Sequence, residues 1–161
     1  MGKKLEVGTN ICLLIASVFV VGLLCYNQFF SMKPNVGHQL VGQSVDAKTF
    51  GPSQGDRALV LLLSTQCKYC AASVPFYREL ARSSSGRNLT AAFVQPEDQA
   101  RQYLEEHQLD FKRIVGSTTL IRQIPSTPTI LLIDGSGKIL DAWIGRLPPD
   151  QRQEVLRHLP L

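Results

Sequence analysis

Cys67-Lys68-Tyr69-Cys70 places two thiols three residues apart, directly after the apolar run Ala58-Leu59-Val60-Leu61-Leu62-Leu63 and at the opening of a helical pattern. A cysteine in the first turn of a helix meets unpaired backbone N–H groups and the positive end of the helix dipole. Both stabilise a thiolate and make it a nucleophile near neutral pH. The second cysteine, one turn along, is close enough to attack a mixed disulfide formed by the first. The spacing therefore suits disulfide exchange in either direction. Lys68 sets a cation beside Cys67 that favours the ionised sulfur, with an ordinary exposed lysine as the alternative. C-x-x-C also supplies half of many zinc sites, which need two further ligands. Cys12 and Cys25 fall in a long apolar segment, and His38, His107 and His158 are scattered without a C-x-x-C or H-x-x-x-H partner, so no metal is expected at the pair. Two buried, inert thiols are the remaining alternative.

The elements that would position the pair follow from patterning. Ala58 to Ser64 is a continuous apolar run of strand length, as a central strand covered on both faces requires. From Cys70 to Arg82, Ala71, Val74, Phe76, Tyr77, Leu80 and Ala81 recur at helical spacing, and Pro75 should bend that helix. Leu89 to Val94 reads as a second strand, and Glu97 to His107 as a helix whose acidic start suits its dipole. Arg113-Ile114-Val115 reads as a short strand followed by a brief helix. Thr129 to Ile133 and Lys138 to Ile144 read as a hairpin about Asp134-Gly135-Ser136-Gly137, and Asp150 to His158 closes as an amphipathic helix. This order predicts an α/β sandwich with a mixed sheet.

No charged side chain occurs between Glu6 and Lys33, a window of 26 residues. As a helix it would span roughly 39 Å, more than a bilayer's hydrocarbon core. Leu23-Leu24-Cys25-Tyr26-Asn27-Gln28 lacks the small residues of a signal-peptide cleavage site, and Leu24 before Cys25 is a poor fit to lipoprotein processing. An uncleaved transmembrane anchor is expected at 11–30. Lys3 and Lys4 place residues 1–10 in the cytoplasm, and the rest of the chain then lies outside, in a periplasm or comparable space where disulfides persist. Residues 31–44 read as a connector and 45–161 as one domain, too short for two. The net charge of +4 is modest and the basic residues are dispersed, so nucleic acid is not an expected partner.

Together these residues resemble the thioredoxin fold, and more specifically the membrane-anchored thioredoxin-like proteins of bacterial cell envelopes, the redoxin or thiol-disulfide interchange proteins. The resemblance covers roughly Val45 to Leu159. Cys67 and Cys70 match the redox pair, and Pro75 matches the proline that bends the first long helix. Thr127-Pro128-Thr129 matches the cis-proline loop, and Gly145 lies within one residue of the glycine that closes the following strand. The resemblance implies that Cys67 attacks, that Cys70 resolves, and that Thr127 and Pro128 contact an extended substrate segment paired strand to strand. It implies no dissociable cofactor; the partners are thiol- or disulfide-containing proteins and a redox partner protein. Two departures stand out. Gln66 occupies the usual tryptophan position, and Leu61 stands where many members carry a buried carboxylate, so the Cys70 proton needs another route. Ser64-Thr65-Gln66-Cys67 also echoes half of a thiol peroxidase signature, with Val60 at its proline position. A non-catalytic envelope binding module on the same fold is the alternative from a different class.

Overall fold

The computed structural model describes residues 17–22, 36–52, 57–83, 88–124 and 126–159. The chain divides into two compact units, Met1–Pro34 and Asn35–Leu161. In the first, residues 17–22 are helical, with Val18, Phe19, Val20 and Val21 exposed. The rest of the expected anchor at 11–30, with Cys12 and Cys25, and the expected cytoplasmic stretch 1–10 lie outside the described residues. Among the described residues no helix is long and apolar enough to cross a membrane.

The second unit is built on five strands: β1 (Arg57–Leu63), β2 (Leu89–Phe93), β3 (Arg113–Val115), β4 (Thr129–Asp134) and β5 (Ile139–Ile144). They lie in the order β3-β2-β1-β4-β5. The β1/β2 and β2/β3 pairs are parallel, and β1/β4 and β4/β5 are antiparallel, so the sheet is mixed. β1 is central, and every residue from Ala58 to Leu63 is buried, as its unbroken apolar run requires. Strand alternation sends Leu59, Leu61 and Leu63 into one core and Ala58, Val60 and Leu62 into the other.

Among the described residues of this unit five α-helices follow in chain order: α1 (Ala47–Phe50), α2 (Lys68–Ala72), α3 (Val74–Ser83), α4 (Glu97–Glu106) and α5 (Pro149–Arg157). The crossovers from β1 to β2 and from β2 to β3 step the same way across the sheet. Right-handed connections then set α3 and α4 on one face. The core of that face accordingly joins Tyr77 and Leu80 of α3, Tyr103 and Leu104 of α4, and Val155 of α5.

The opposite face is closed largely by chain that the sequence presented as a connector or an unclear region. Leu40, Val45, Phe50, Leu120 and Ile124 form its cover. The 3-10 turn Val36–Gln39 lies against β5 so closely that a Cβ on Gly37 would come within 1.8 Å of the Ala142 carbonyl oxygen. Gly42 donates to the Ile139 carbonyl and Ile139 donates back to Gln43. Isolated apolar residues such as Leu40 and Val45 carry no period, which is why patterning missed this cover. On the other edge, the Arg113 guanidinium donates to the Gly51 and Thr49 carbonyls at 2.6 and 2.7 Å and ties β3 to the end of α1.

The expected helix from Cys70 to Arg82 is divided rather than bent. α2 stops at Ala72, Ser73 follows as a turn, and α3 restarts with Pro75 at its second position. Pro75 has no N–H for the Ala71 carbonyl, and its ring excludes a continuous helix through that carbonyl. Ser73 supplies the joint: its hydroxyl donates to the Tyr69 carbonyl at 2.8 Å, and its own carbonyl accepts from Phe76 and Tyr77.

Candidate active site

β1 delivers the chain to the sheet edge, where Ser64, Thr65 and Gln66 turn it into α2. Gln95, just beyond β2, holds that turn: its carbonyl accepts from the Thr65 N–H at 3.1 Å, and its amide donates to the Ser64 hydroxyl at 3.0 Å. Nothing in the sequence ties Gln95 to a segment 30 residues earlier, and it was not among the expected site residues.

Cys67 is the N-cap of α2, in extended backbone with φ −87° and ψ 111°, and its sulfur accepts the Cys70 N–H at 3.1 Å. A sulfur that takes an otherwise unpaired helix donor is stabilised most when negative. Cys67 is half-buried and Cys70 fully buried, and both are free thiols. The Thr127–Pro128 peptide is cis, and the Thr127 carbonyl lies 3.3 Å from the Cys67 sulfur, accepting the thiol proton. The same loop is pinned behind: Thr129 donates through its hydroxyl to the Ser126 carbonyl, and the Gly145 N–H donates to the Pro128 carbonyl at 2.8 Å. Gly145 has φ +85°, a conformation glycine adopts without strain. Among the described residues the Thr127 N–H has no hydrogen-bond partner. Cys67, Cys70, Thr127 and Pro128 thus come together at one edge.

The two thiols differ in acidity for identifiable reasons. At Cys67 burial raises the pKa, but hydrogen bonds from Cys70, from Thr127 and from the backbone of Cys70 and Tyr69 outweigh it and hold the thiol below its ordinary value. At Cys70 burial comes first, reinforced by the hydrogen bond to Cys67 and the charge there, and the thiol is pushed up to about 12. Lys68 is exposed, with its ammonium 5.1 Å from the centre of the Tyr69 ring, and Tyr69 itself is 51% exposed between the two cysteines. Alkylation of the reduced protein by iodoacetamide should follow one titration whose midpoint lies below that of an unperturbed thiol. Its rate should fall as pH drops through that midpoint, with Cys70 unreacted until the chain is unfolded. Equal labelling of both sulfurs in the folded protein would contradict this asymmetry.

Leu61, at the position of the missing carboxylate, is fully buried in the core that also holds Cys70. Besides the cysteines, the titratable groups among the described residues of that core are phenols. Tyr77 and Tyr103 both have raised pKa values, from burial first and then from the charge that the cysteines develop. One grouping of side chains that could hold a metal ion occurs among the described residues, and it includes neither cysteine: Asp141, Glu154 and His158 bring their ligand atoms within 4.8 Å of one another. Glu154 stands four residues before His158 on the same helical run, and only Asp141, on β5, meets them through tertiary packing.

No family model matches the sequence, and no curated protein matches it significantly. Its backbone does match solved structures. The thioredoxin domain of the thiol-disulfide oxidoreductase BVU-2223 from Bacteroides vulgatus superposes with a TM-score of 0.50 at 16% identity, over 66% of this chain and 81% of that one. The chain has the thioredoxin-like fold. StoA from Bacillus subtilis gives a TM-score of 0.51 at 15% identity, over 68% of this chain and 86% of its own. A secreted disulfide oxidoreductase of Mycobacterium tuberculosis, described as homologous to E. coli DsbE, gives 0.50 at 15% identity, over 66% and 81%. In this thioredoxin-like domain β3 follows α4 and pairs in parallel with β2, at the edge opposite the β4/β5 hairpin.

Proposed function

We propose that this chain is an extracytoplasmic thiol-disulfide oxidoreductase that exchanges disulfides with protein substrates through Cys67 and Cys70. The observation that carries the reading is the difference between the two sulfurs: one is accessible, capped by a helix N–H and lowered in pKa, while the other is sealed behind it and stays protonated. Such a pair attacks with the first sulfur and finishes with the second. Cys67 is the nucleophile and Cys70 the resolving thiol. The Thr127 N–H, unpaired among the described residues, offers an extended substrate segment one main-chain hydrogen bond next to the attacking sulfur. Lys68 acts, on this reading, as a neighbouring cation. The backbone likeness to a secreted disulfide oxidoreductase supports an extracytoplasmic site of action.

The same reading assigns residues 1–10 to the cytoplasm, 11–30 to a single membrane anchor and 45–161 to the catalytic domain, with Leu40 and Gly42 of the expected connector 31–44 packed against that domain. Its support is the uncharged window between Glu6 and Lys33 and the lysines ahead of it. The partners are thiol- or disulfide-containing proteins and a redox partner protein outside the cytoplasm.

Cys70→Ser in the full chain tests the proposal. Cys67 should still attack, and without a resolving thiol the mixed disulfide should persist, so alkylating lysis should recover extracytoplasmic proteins bound to Cys67 and released by reductant. Recovery of no such adducts, with the variant folded and present at normal levels, would overturn the reading.

A further inference from the structure

The turn that presents Cys67 is held by a side chain from another part of the fold. Between Thr65 and Cys67 three backbone donors need partners. Cys67 donates to the Ser64 carbonyl at 3.2 Å, and Gln66 donates to the Ser64 hydroxyl at 3.3 Å. Thr65 donates to the Gln95 side-chain carbonyl at 3.1 Å, while the Gln95 amide donates to the same Ser64 hydroxyl at 3.0 Å. One carboxamide thus engages two consecutive residues with both its ends, which fixes their position and their rotation together. Gln95 is itself anchored: its backbone carbonyl accepts from Ser117 at 2.7 Å, and Gly116 lies too close to the Glu97 backbone to carry a Cβ. The clasp therefore joins a firmly held junction of β2 with α4 to the turn between β1 and α2.

We propose that Gln95 is a positioning residue for the attack by Cys67, holding the turn from Ser64 to Gln66 so that the sulfur meets the Cys70 N–H and the Thr127 carbonyl in one fixed place. This rests on the exchange activity proposed above and deepens it. The two contacts of the sulfur come from different elements, the Cys70 N–H at 3.1 Å from α2 and the Thr127 carbonyl at 3.3 Å from the cis-proline loop. Hydrogen bonds weaken steeply as their angle closes, so the sulfur keeps both only while the chain ahead of it stays in place. The thiolate depends on the Cys70 N–H more than the thiol does, and a loosened turn therefore raises the cost of ionising Cys67. Among the described residues the side-chain hydrogen bonds of Gln95 go to Ser64 and Thr65 and none goes to the sulfur, so Gln95 acts through those two residues.

The titratable groups around this sulfur are left in place when Gln95 is altered. Cys70 of α2, Tyr77 of α3 and Tyr103 of α4 belong to the core against which Cys67 packs, and Lys68 follows it in the chain, exposed. The cis-proline loop from Ser126 to Pro128 brings no charged side chain. Glu97 and Asp98 begin α4 just beyond Gln95; both are exposed, and Glu97 is paired with Arg101. A neutral replacement at position 95 therefore changes how the turn is held without changing the charge near the sulfur.

Gln95→Met in the full chain keeps the length of the side chain and removes both hydrogen bonds. The midpoint of Cys67 alkylation by iodoacetamide against pH should rise by about 0.5 to 1 unit, so that the rate below the midpoint falls about three- to tenfold. Ser64→Ala, which removes the hydroxyl at the other end of the clasp, should move the midpoint in the same direction. The double variant should then shift it by clearly less than the sum of the two single changes, because both act through one clasp. A Gln95 that only ties the fold together would lower Tm and leave the midpoint unmoved, and that result would overturn the inference. So would strictly additive shifts in the double variant. Where Gln95→Met fails to fold, Ser64→Ala alone decides: a raised midpoint supports the inference and an unmoved one overturns it. A wild-type Cys67 that titrates as an ordinary thiol would instead overturn the exchange reading itself, so the two failures are distinct.

Discussion

Cys67→Ser is expected to reduce thiol-disulfide exchange by the reduced protein by about 1000-fold or more, to the background of the assay, without loss of the fold. The serine oxygen can take over the N-cap of α2, since serine is among the preferred residues there, so the bond now made by the Cys70 N–H survives. What disappears is the one sulfur among the described residues that is both accessible and easily ionised. Cys70 cannot replace it: burial, the largest cause that raises its pKa, remains in the variant, and its sulfur is covered from solvent. The measurement is the rate of reaction with a small aromatic disulfide, run beside circular dichroism. The variant should react only after denaturant exposes Cys70. Exchange within tenfold of the wild type in the folded variant would mean that position 67 is not the attacking group.

The parts of this molecule that were legible in its sequence are those whose signal is local. β1 could be read because a strand buried on both faces must be apolar at every position, and the hairpin because Asp134-Gly135-Ser136-Gly137 can hardly be anything but a turn between two apolar runs. Cys67 and Cys70 could be read because three residues is one helical turn. Pro128 was reached through resemblance to a family motif, and the Thr127 carbonyl of its cis peptide lies beside Cys67. The rest of the site depends on meetings that leave no local trace. Gln95 reaches Ser64 and Thr65 across the sheet, and Tyr103 shares the core that holds Cys70 because two successive right-handed crossovers place α3 and α4 on one face. Adjacency in sequence suggests that the Lys68 charge favours the Cys67 thiolate; the largest lowering effects on that thiol come from hydrogen bonds with Cys70 and Thr127, which sequence adjacency does not show for Thr127.

The largest effect on stability is expected at Trp143. It is the bulkiest fully buried side chain, registered with Ile130 on β4 and donating its indole N–H to Glu154 of α5 at 3.1 Å. It therefore joins the sheet to the last helix, two residues along β4 from Pro128 and two along β5 from Gly145. Trp143→Ala leaves a cavity that the surrounding strands cannot close, at a cost of about 3–5 kcal/mol. For a domain of this size that lowers Tm by roughly 10–20 °C. Trp143→Phe should cost much less, because most of the buried area remains and Glu154 is only partly buried and can bond to water. The consequence for chemistry separates scaffold from site. Well below the lowered Tm, Trp143→Ala should still carry out exchange within about threefold of the wild type, since the Gly145 to Pro128 bond and the cap on Cys67 do not involve the indole. A Tm change under about 3 °C would show that the sheet edge collapses into the space left, and a folded variant with exchange lost would show that the indole, not the backbone, holds the Thr127–Pro128 loop in place.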